Sequence, residues 1–255
     1  TDMANNKKYF FGHTEVSKQD KVKKVNDVFT SVAKRYDIMN DILSFGTHRL
    51  WKEILVSSIT NLISTRKEFN YVDLACGTGD IGYRLLDRKS KNINVLMMDI
   101  NETMLEHAKK RKEYKNYKKN INFVASDAEN IPLASNSIDC ITIAFGIRNV
   151  ASIENALIEI NRVLKRGGKF LCLEFSHVEM SLVKKFYASY SKNIIPKIGN
   201  VVAKDRKSYK YLVESIEKFP KQDEFADLIT KSGFISSKYR NLSGGIACIH
   251  SGWKI

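Results

Sequence analysis

Three acids and a short run of glycines are spaced as a nucleotide-type cofactor would need them. Asp73 ends the strand-like run Phe69-Asn70-Tyr71-Val72 and opens the segment Asp73-Leu74-Ala75-Cys76-Gly77-Thr78-Gly79-Asp80. Gly77 and Gly79 let the backbone bend sharply and approach a ligand, and Ile81 to Arg88 continues as a helix. A second acid, Asp99, closes the apolar run Val95-Leu96-Met97-Met98. It lies about 20 residues beyond Thr78, where a carboxylate accepts hydrogen bonds from ribose hydroxyls. Asn101 is itself a good cap for the helix that follows, which releases Asp99 for a ligand. The third acid follows the next strand, in Ser126-Asp127-Ala128-Glu129. Asp127 can accept from the exocyclic amine of adenine while backbone N–H groups near Ala128 serve the ring nitrogens.

Gly77, Gly79 and Gly82 also satisfy G-x-G-x-x-G, so a dinucleotide competes with S-adenosylmethionine (SAM) on spacing alone. Charge separates them. Asp80 in the first helical turn suits the helix dipole but would repel a pyrophosphate, whereas SAM has no phosphate and carries sulfonium and ammonium cations. An acid at a strand end, such as Asp73, favours the cationic cofactor.

Positioning these residues requires alternating elements. The pattern predicts a strand over 69–75, a helix over 80–88, a strand over 93–99, a helix over 102–113, strands over 121–125 and 138–145, a helix over 152–165 and a strand over 168–175. Gly167-Gly168 marks a turn between the last two. A helix near 221–232 stops at Gly233, and two strand-like runs flank Ser243-Gly244-Gly245 as an antiparallel hairpin. This order predicts an α/β fold: the mostly parallel seven-stranded, Rossmann-like sheet of class I SAM-dependent methyltransferases, with one antiparallel strand. The ligand belongs beyond the carboxyl ends of the central strands.

Two segments stand outside that core. Val22, Val25, Phe29, Val32, Ala33 and Tyr36 recur at helical spacing and give an N-terminal apolar face. Between Phe175 and Pro220, an apolar stripe including Phe186, Tyr187, Tyr190 and Ile194 runs beside lysines. The expected organisation is a helical cover segment over 1–66 and a cofactor-binding domain over 67–255 with a helical insertion at about 178–219.

The chain has 255 residues, 43% of them hydrophobic, enough for one substantial core. No stretch approaches the roughly 18 to 20 apolar residues of a membrane span, and Thr1 to Phe11 has no signal-like apolar block, so an intracellular protein is expected. Cys76, Cys140, Cys172 and Cys248 are far apart, without C-x-x-C pairs, so neither disulfides nor a metal site is expected. The net charge of +14 comes from scattered lysines rather than one patch, which speaks against nucleic acid as a partner.

Beyond the glycine loop, several segments are more specific. They are Ser31-Val32-Ala33-Lys34-Arg35-Tyr36-Asp37-Ile38-Met39-Asn40-Asp41, His48-Arg49-Leu50-Trp51-Lys52, Phe145-Gly146-Ile147-Arg148-Asn149, Leu173-Glu174-Phe175-Ser176 and Ser208-Tyr209-Lys210-Tyr211-Leu212 with Glu214-Ser215-Ile216. In these the chain resembles, nearly end to end, the UbiE family of ubiquinone/menaquinone biosynthesis C-methyltransferases. The resemblance implies methyl transfer from SAM to a ring carbon of 2-methoxy-6-polyprenyl-1,4-benzoquinol, demethylmenaquinol or both. It carries cofactor contacts over to Thr78, Asp99, Asp127 and Ala128, and it suggests a homodimer, with a quinone-biosynthesis complex as a further possibility. Two positions depart from the family pattern, Cys76 where glycine is common and Ala144 where bacterial members often have serine.

A quinol becomes a good carbon nucleophile once a hydroxyl is ionised, and a nearby cation assists that ionisation. Arg148, after the fourth strand, is the candidate to hold the developing phenolate, with Asn149 and Tyr36 orienting ring oxygens. Alternatively, Arg148 pairs with a carboxylate to brace its loop. Arginine stays protonated, so the base would be a polarised water, His48, Asp37 or Asp41. A prenyl tail, at about 0.8 kcal/mol per CH₂, calls for work at a membrane surface. The expected location is therefore the inner membrane's cytoplasmic face or, alternatively, a mitochondrial matrix. Methylation of another acceptor such as RNA, and a non-catalytic SAM-binding subunit, are the competing readings.

Overall fold

The computed structural model describes residues 8–33, 40–42, 44, 46–63, 67–178 and 206–255. Tyr36 and Asp37, and the apolar stripe expected over the insertion, lie outside the described residues. Two short strands, β1 (Tyr9–Phe11) and β2 (Thr14–Val16), pair as a hairpin that the sequence pattern had not suggested. Helices α1 (Lys18–Val32) and α2 (His48–Ile63) follow. Then come β3 (Phe69–Leu74), α3 (Asp80–Arg88), β4 (Ile93–Asp99), α4 (Glu102–Lys109), a single turn α5 (Tyr114–Tyr117), β5 (Ile121–Ala125) and β6 (Ile138–Ala144). The chain closes with α6 (Ile153–Val163), β7 (Leu164–Phe175), α7 (Arg206–Lys218), α8 (Gln222–Lys231), β8 (Ile235–Leu242) and β9 (Ala247–Trp253).

The main sheet has seven strands in the order β5-β4-β3-β6-β7-β9-β8. The pairings from β5 through β7 are parallel, while β9 runs antiparallel to both neighbours. The expected hairpin exists, with its second strand inserted between β7 and β8. Strand order reverses between β3 and β6: β4 and β5 extend one way and β6 the other. That reversal opens a crevice beyond their carboxyl ends. The central strands are largely buried on both faces, mostly by apolar side chains, with Asp73, Asp139 and Thr142 as buried polar exceptions.

Most boundaries fall within two residues of expectation, and two differ by four. Helix α4 ends at Lys109 rather than continuing to 113, and Arg111 reaches Glu113 at 3.1 Å and Asp80 at 3.8 Å. Helix α6 runs directly into β7, and the expected turn is a bulge within the strand, where Leu164 pairs with Ile138 and Lys169 with Cys140. Gly167 adopts φ +73°, and a Cβ at Gly168 would stand 2.7 Å from the Lys165 carbonyl, so this bulge requires small residues.

An aromatic cluster locks the loop after β6. Phe145, itself at φ +60°, lies 4.8 Å from the Phe175 ring and 6.4 Å from Trp51, and Trp51 meets Phe175 edge-on at 6.0 Å. A bulky residue at positive φ costs about 1–3 kcal/mol, which three mutually packed rings can sustain. Cys140, Cys172 and Cys248 are buried in the core as thiols, not disulfides, and Cys76 is half-buried. Among the described residues no helix is long and apolar enough to cross a membrane.

Candidate active site

The crevice beyond β3, β4 and β6 holds a cavity whose floor is Leu74, Ala75, Gly77, Asp99, Ala128, Phe145 and Gly146. Helix α1 forms its roof through Val22, Val25, Asn26 and Phe29. Periodicity shows that α1 has an apolar face, but only tertiary contacts show where it docks. Asn101 makes the junction: its Oδ1 caps α4 by accepting from Met104 N, and its Nδ2 donates to Asn26 O at 3.2 Å and Thr30 Oγ1 at 2.9 Å. A second tie runs from Lys18 Nζ to Glu129 at 2.8 Å, and Glu129 also accepts from Ser152 N at the start of α6.

Asp99 is 9% exposed and stands at the cavity edge. One carboxylate oxygen accepts from Gly77 N at 2.7 Å and the other from Asn101 N at 2.8 Å. Each oxygen retains a lone pair, so a diol can still be received. Burial pushes the Asp99 carboxyl up, and these N–H donors oppose the rise. Asp127 and Ala128 line the same cavity, with Asp127 Oδ1 fixed by Glu129 N at 2.9 Å. Asn149 lines it from the opposite wall.

Other expected residues sit behind the lining. Asp73 is buried and accepts from Gly82 N at 3.0 Å, which staples α3 to β3. Gly79, at φ +77°, caps α3, and Thr78 is buried in the same turn. Neither Asp73, Thr78 nor Gly79 is among the cavity-lining residues. Arg148 is 7% exposed and donates to Glu174 Oε1, to Phe145 O at 2.8 Å and to Ser215 Oγ at 3.2 Å. Its contacts are those of the loop-bracing alternative, and it faces a second cavity with Phe10, Tyr211 and Lys218 rather than the first. His48 is buried against Ser44 at 3.0 Å and lies outside the cavity lining, its pKa lowered to about 4 by burial and then by Lys52. Asp41 pairs with Arg49 at 2.8 Å.

Glu174, Tyr211 and Ser215 were not assigned roles by spacing, although the specific segments containing them were the available signal. Tyr211 donates to Asn149 Oδ1 at 2.8 Å, so α7 touches the loop after β6 at both Arg148 and Asn149.

The charges around the loop are arranged unevenly. Burial alone would raise Asp80, but Lys52 at 2.8 Å, with Arg84 and Arg111, holds it down to about 2. Asp73 moves the other way: burial raises it to about 7 against the hydrogen bond from Gly82. Among the described lining residues the ionisable side chains are Asp99 and Asp127, with no lysine or arginine. Such a wall suits a cationic cofactor with a diol and an adenine, and among the described lining residues no cationic side chain meets a pyrophosphate.

Residues 15–254 match the model of the ubiE/COQ5 methyltransferase family. A Rhizobium meliloti protein named ubiquinone/menaquinone biosynthesis C-methyltransferase UbiE is 49% identical over 245 residues, covering 96% of this chain and 94% of its own. The Brucella suis protein of the same name is also 49% identical, over 96% and 90% of the two chains. Among solved structures, a SAM-dependent methyltransferase from Thermotoga maritima, described as a possible histamine N-methyltransferase, aligns with TM-score 0.63. That likeness, at 20% identity over 91% of this chain and 100% of the other, concerns the fold alone.

Asp73 makes stability pH-dependent in a definite direction. Its folded pKa of about 7 lies above the ordinary 3.8, so between those values the native state binds more protons than the unfolded chain. Stability therefore falls as pH rises from about 4 to about 7, by up to roughly 4 kcal/mol from this group. Asp73→Asn keeps an acceptor for Gly82 N and removes the titration. Urea unfolding at pH 4.5 and pH 8 is expected to show the variant gaining on the wild type as pH rises, whereas a difference independent of pH would contradict this assignment.

Proposed function

The chain belongs to the ubiE/COQ5 methyltransferase family and is a SAM-dependent C-methyltransferase of quinone biosynthesis; from that premise we propose that the cavity beyond β3 and β6 directs a methyl group to a ring carbon of a polyprenylated quinol. The observation that carries the assignment of cofactor to cavity is its wall, acidic at Asp99 and Asp127 and otherwise lined by uncharged side chains. Asp99 would receive the ribose hydroxyls and Asp127 the adenine amine, with Gly77 allowing close backbone approach. Asp73, Thr78 and Gly79 would act through the shape of the loop.

SAM supplies, when bound, a methyl carbon already activated by its sulfonium. The protein's part is alignment and exclusion of water. Phe29 and the rest of the α1 roof cover the cavity, and Phe145 and Asn149 form the wall against which the acceptor ring would lie. The Asn149 amide would donate to a ring oxygen and favour its ionised form. One carbon–carbon bond forms at the ring as one carbon–sulfur bond breaks, and the proton on that ring carbon passes to water, restoring aromaticity. Arg148 stays with Glu174 and keeps Asn149 in place. Demethylmenaquinol and 2-methoxy-6-polyprenyl-1,4-benzoquinol are the acceptors we propose.

The test is transfer from methyl-labelled SAM to reduced short-chain analogues of both quinols, with the product mapped by mass spectrometry. Label on a ring carbon is expected. Tight SAM binding without transfer to either ring would redirect the assignment to another acceptor or to a non-catalytic role.

A membrane surface as the source of acceptor follows from the same reading. The cavity mouth is shared by Val22, Asn26 and Ile100 with an open depression edged by Lys18 and Lys23, and Ile100 is 43% exposed. Apolar surface rimmed by lysines suits an anionic leaflet. Co-sedimentation with phosphatidylglycerol vesicles at low salt is expected, weakened by Lys23→Glu and by 0.5 M salt; binding indifferent to both would contradict the docking.

A further inference from the structure

An asparagine side chain can point either way round, and the two orientations present opposite chemistry, a donor or an acceptor. At Asn149 the surroundings select one. Nδ2 lies 3.4 Å from the carbonyl oxygen of Phe145, a group that can only accept, so nitrogen belongs on that side. Oδ1 then faces Tyr211, whose hydroxyl donates to it at 2.8 Å. A flipped amide would set oxygen against oxygen at Phe145.

Phe145 O makes the choice, and Tyr211 is held firmly enough to lock it by donating to Oδ1. It is 3% exposed, and its ring stacks on Phe11 of the β1–β2 hairpin with centroids 4.2 Å apart and planes 9° from parallel. One turn along α7, Ser215 accepts from Arg148 Nε at 3.2 Å and donates to Leu212 O at 2.8 Å, which pins the helix to the same loop. Burial also pushes the phenol upward, so the hydroxyl keeps its proton to donate. The amide carries two N–H donors, and Phe145 O engages at most one. Asn149 lines the cofactor cavity, while Tyr211 lines the second cavity beside Arg148, so the Tyr211–Asn149 hydrogen bond is part of the wall between them.

We infer that Tyr211 is a positioning residue for methyl transfer: by donating to Oδ1 its hydroxyl holds the Asn149 amide in the orientation that Phe145 O selects, so the second N–H serves the ring oxygen and the site offers a donor rather than an acceptor. The inference rests on the methyl-transfer reading above. A donor edge favours a phenolate, which accepts, over a hydroxyl seeking an acceptor, and this selects the nucleophilic form of the ring.

Tyr211→Phe removes the hydroxyl and keeps the stacked ring. In ¹⁵N–¹H correlation spectra of the full chain, the Asn149 side-chain pair, identified by its loss in Asn149→Asp, is expected to shift or split in Tyr211→Phe. Turnover should fall on the order of ten-fold, the size of one hydrogen bond to a charged group, with KM for SAM within about two-fold. The kcat/KM pH profile should move to higher pH. Tyr211→Phe/Asn149→Asp should be no slower than Asn149→Asp alone, because one residue acts through the other. An unmoved amide pair, unchanged turnover despite a lowered thermal midpoint, or losses that multiply in the double variant would overturn the inference. Wild-type enzyme that methylates neither quinol would instead sink the acceptor reading, and with it the role in transfer, even if the amide pair shifts.

Discussion

The buried ion pair between Arg148 and Glu174 is the contact on which the acceptor side of the site depends. Both side chains are nearly inaccessible, at 2% and 1%, and bare charges there would cost several kcal/mol each. The surrounding groups offset that cost: Phe145 O and Ser215 take up further guanidinium donors, and Phe175 N donates to Glu174. Burial pushes the Glu174 carboxyl up, and Arg148 opposes it. Together these contacts join the loop after β6, the end of β7 and helix α7 in one network. Removing either partner would leave a charge stranded at the point where Asn149 is presented.

The cofactor side obeys a different constraint, the placement of negative charge on the wall that faces the ligand rather than at the start of the helix behind it. Asp80 occupies the first turn of α3 and is neutralised from behind by Lys52, Arg84 and Arg111. Asp99 and Asp127 then dominate the wall. The fold shared with dinucleotide-binding proteins is thereby tuned to a cation, by side chains rather than by topology.

Where function is local in the chain, the residues announce it. Strands over 93–99 and 121–125 and the helix over 80–88 agree with expectation residue for residue, because each is set by a short periodic pattern and a cap or turn beside it. The placement of Asp99, Asp127 and Gly77 around one cavity was legible for the same reason. Arg148 was legible as a residue type and position, but its partner was not, since Glu174 lies 26 residues away and Ser215 lies 67. The Asn149–Tyr211 contact spans 62 residues and follows from the packing of α7 against the loop after β6. Asp73 shows a further limit: its strand-end position suits a ligand, and a backbone N–H nine residues away claims it instead.

The proposed reaction brings a cationic methyl donor and a quinol ring together in one crevice at Asn149. Its most direct test is a crystal structure with S-adenosylhomocysteine and a short-chain quinol analogue bound together. The account predicts the ribose on Asp99, the ring against Phe145 with an oxygen within hydrogen-bonding distance of Asn149 Nδ2, and a ring carbon facing the sulfur. A ring seated beside His48 or on Arg148 in the second cavity, away from the sulfur, would contradict it.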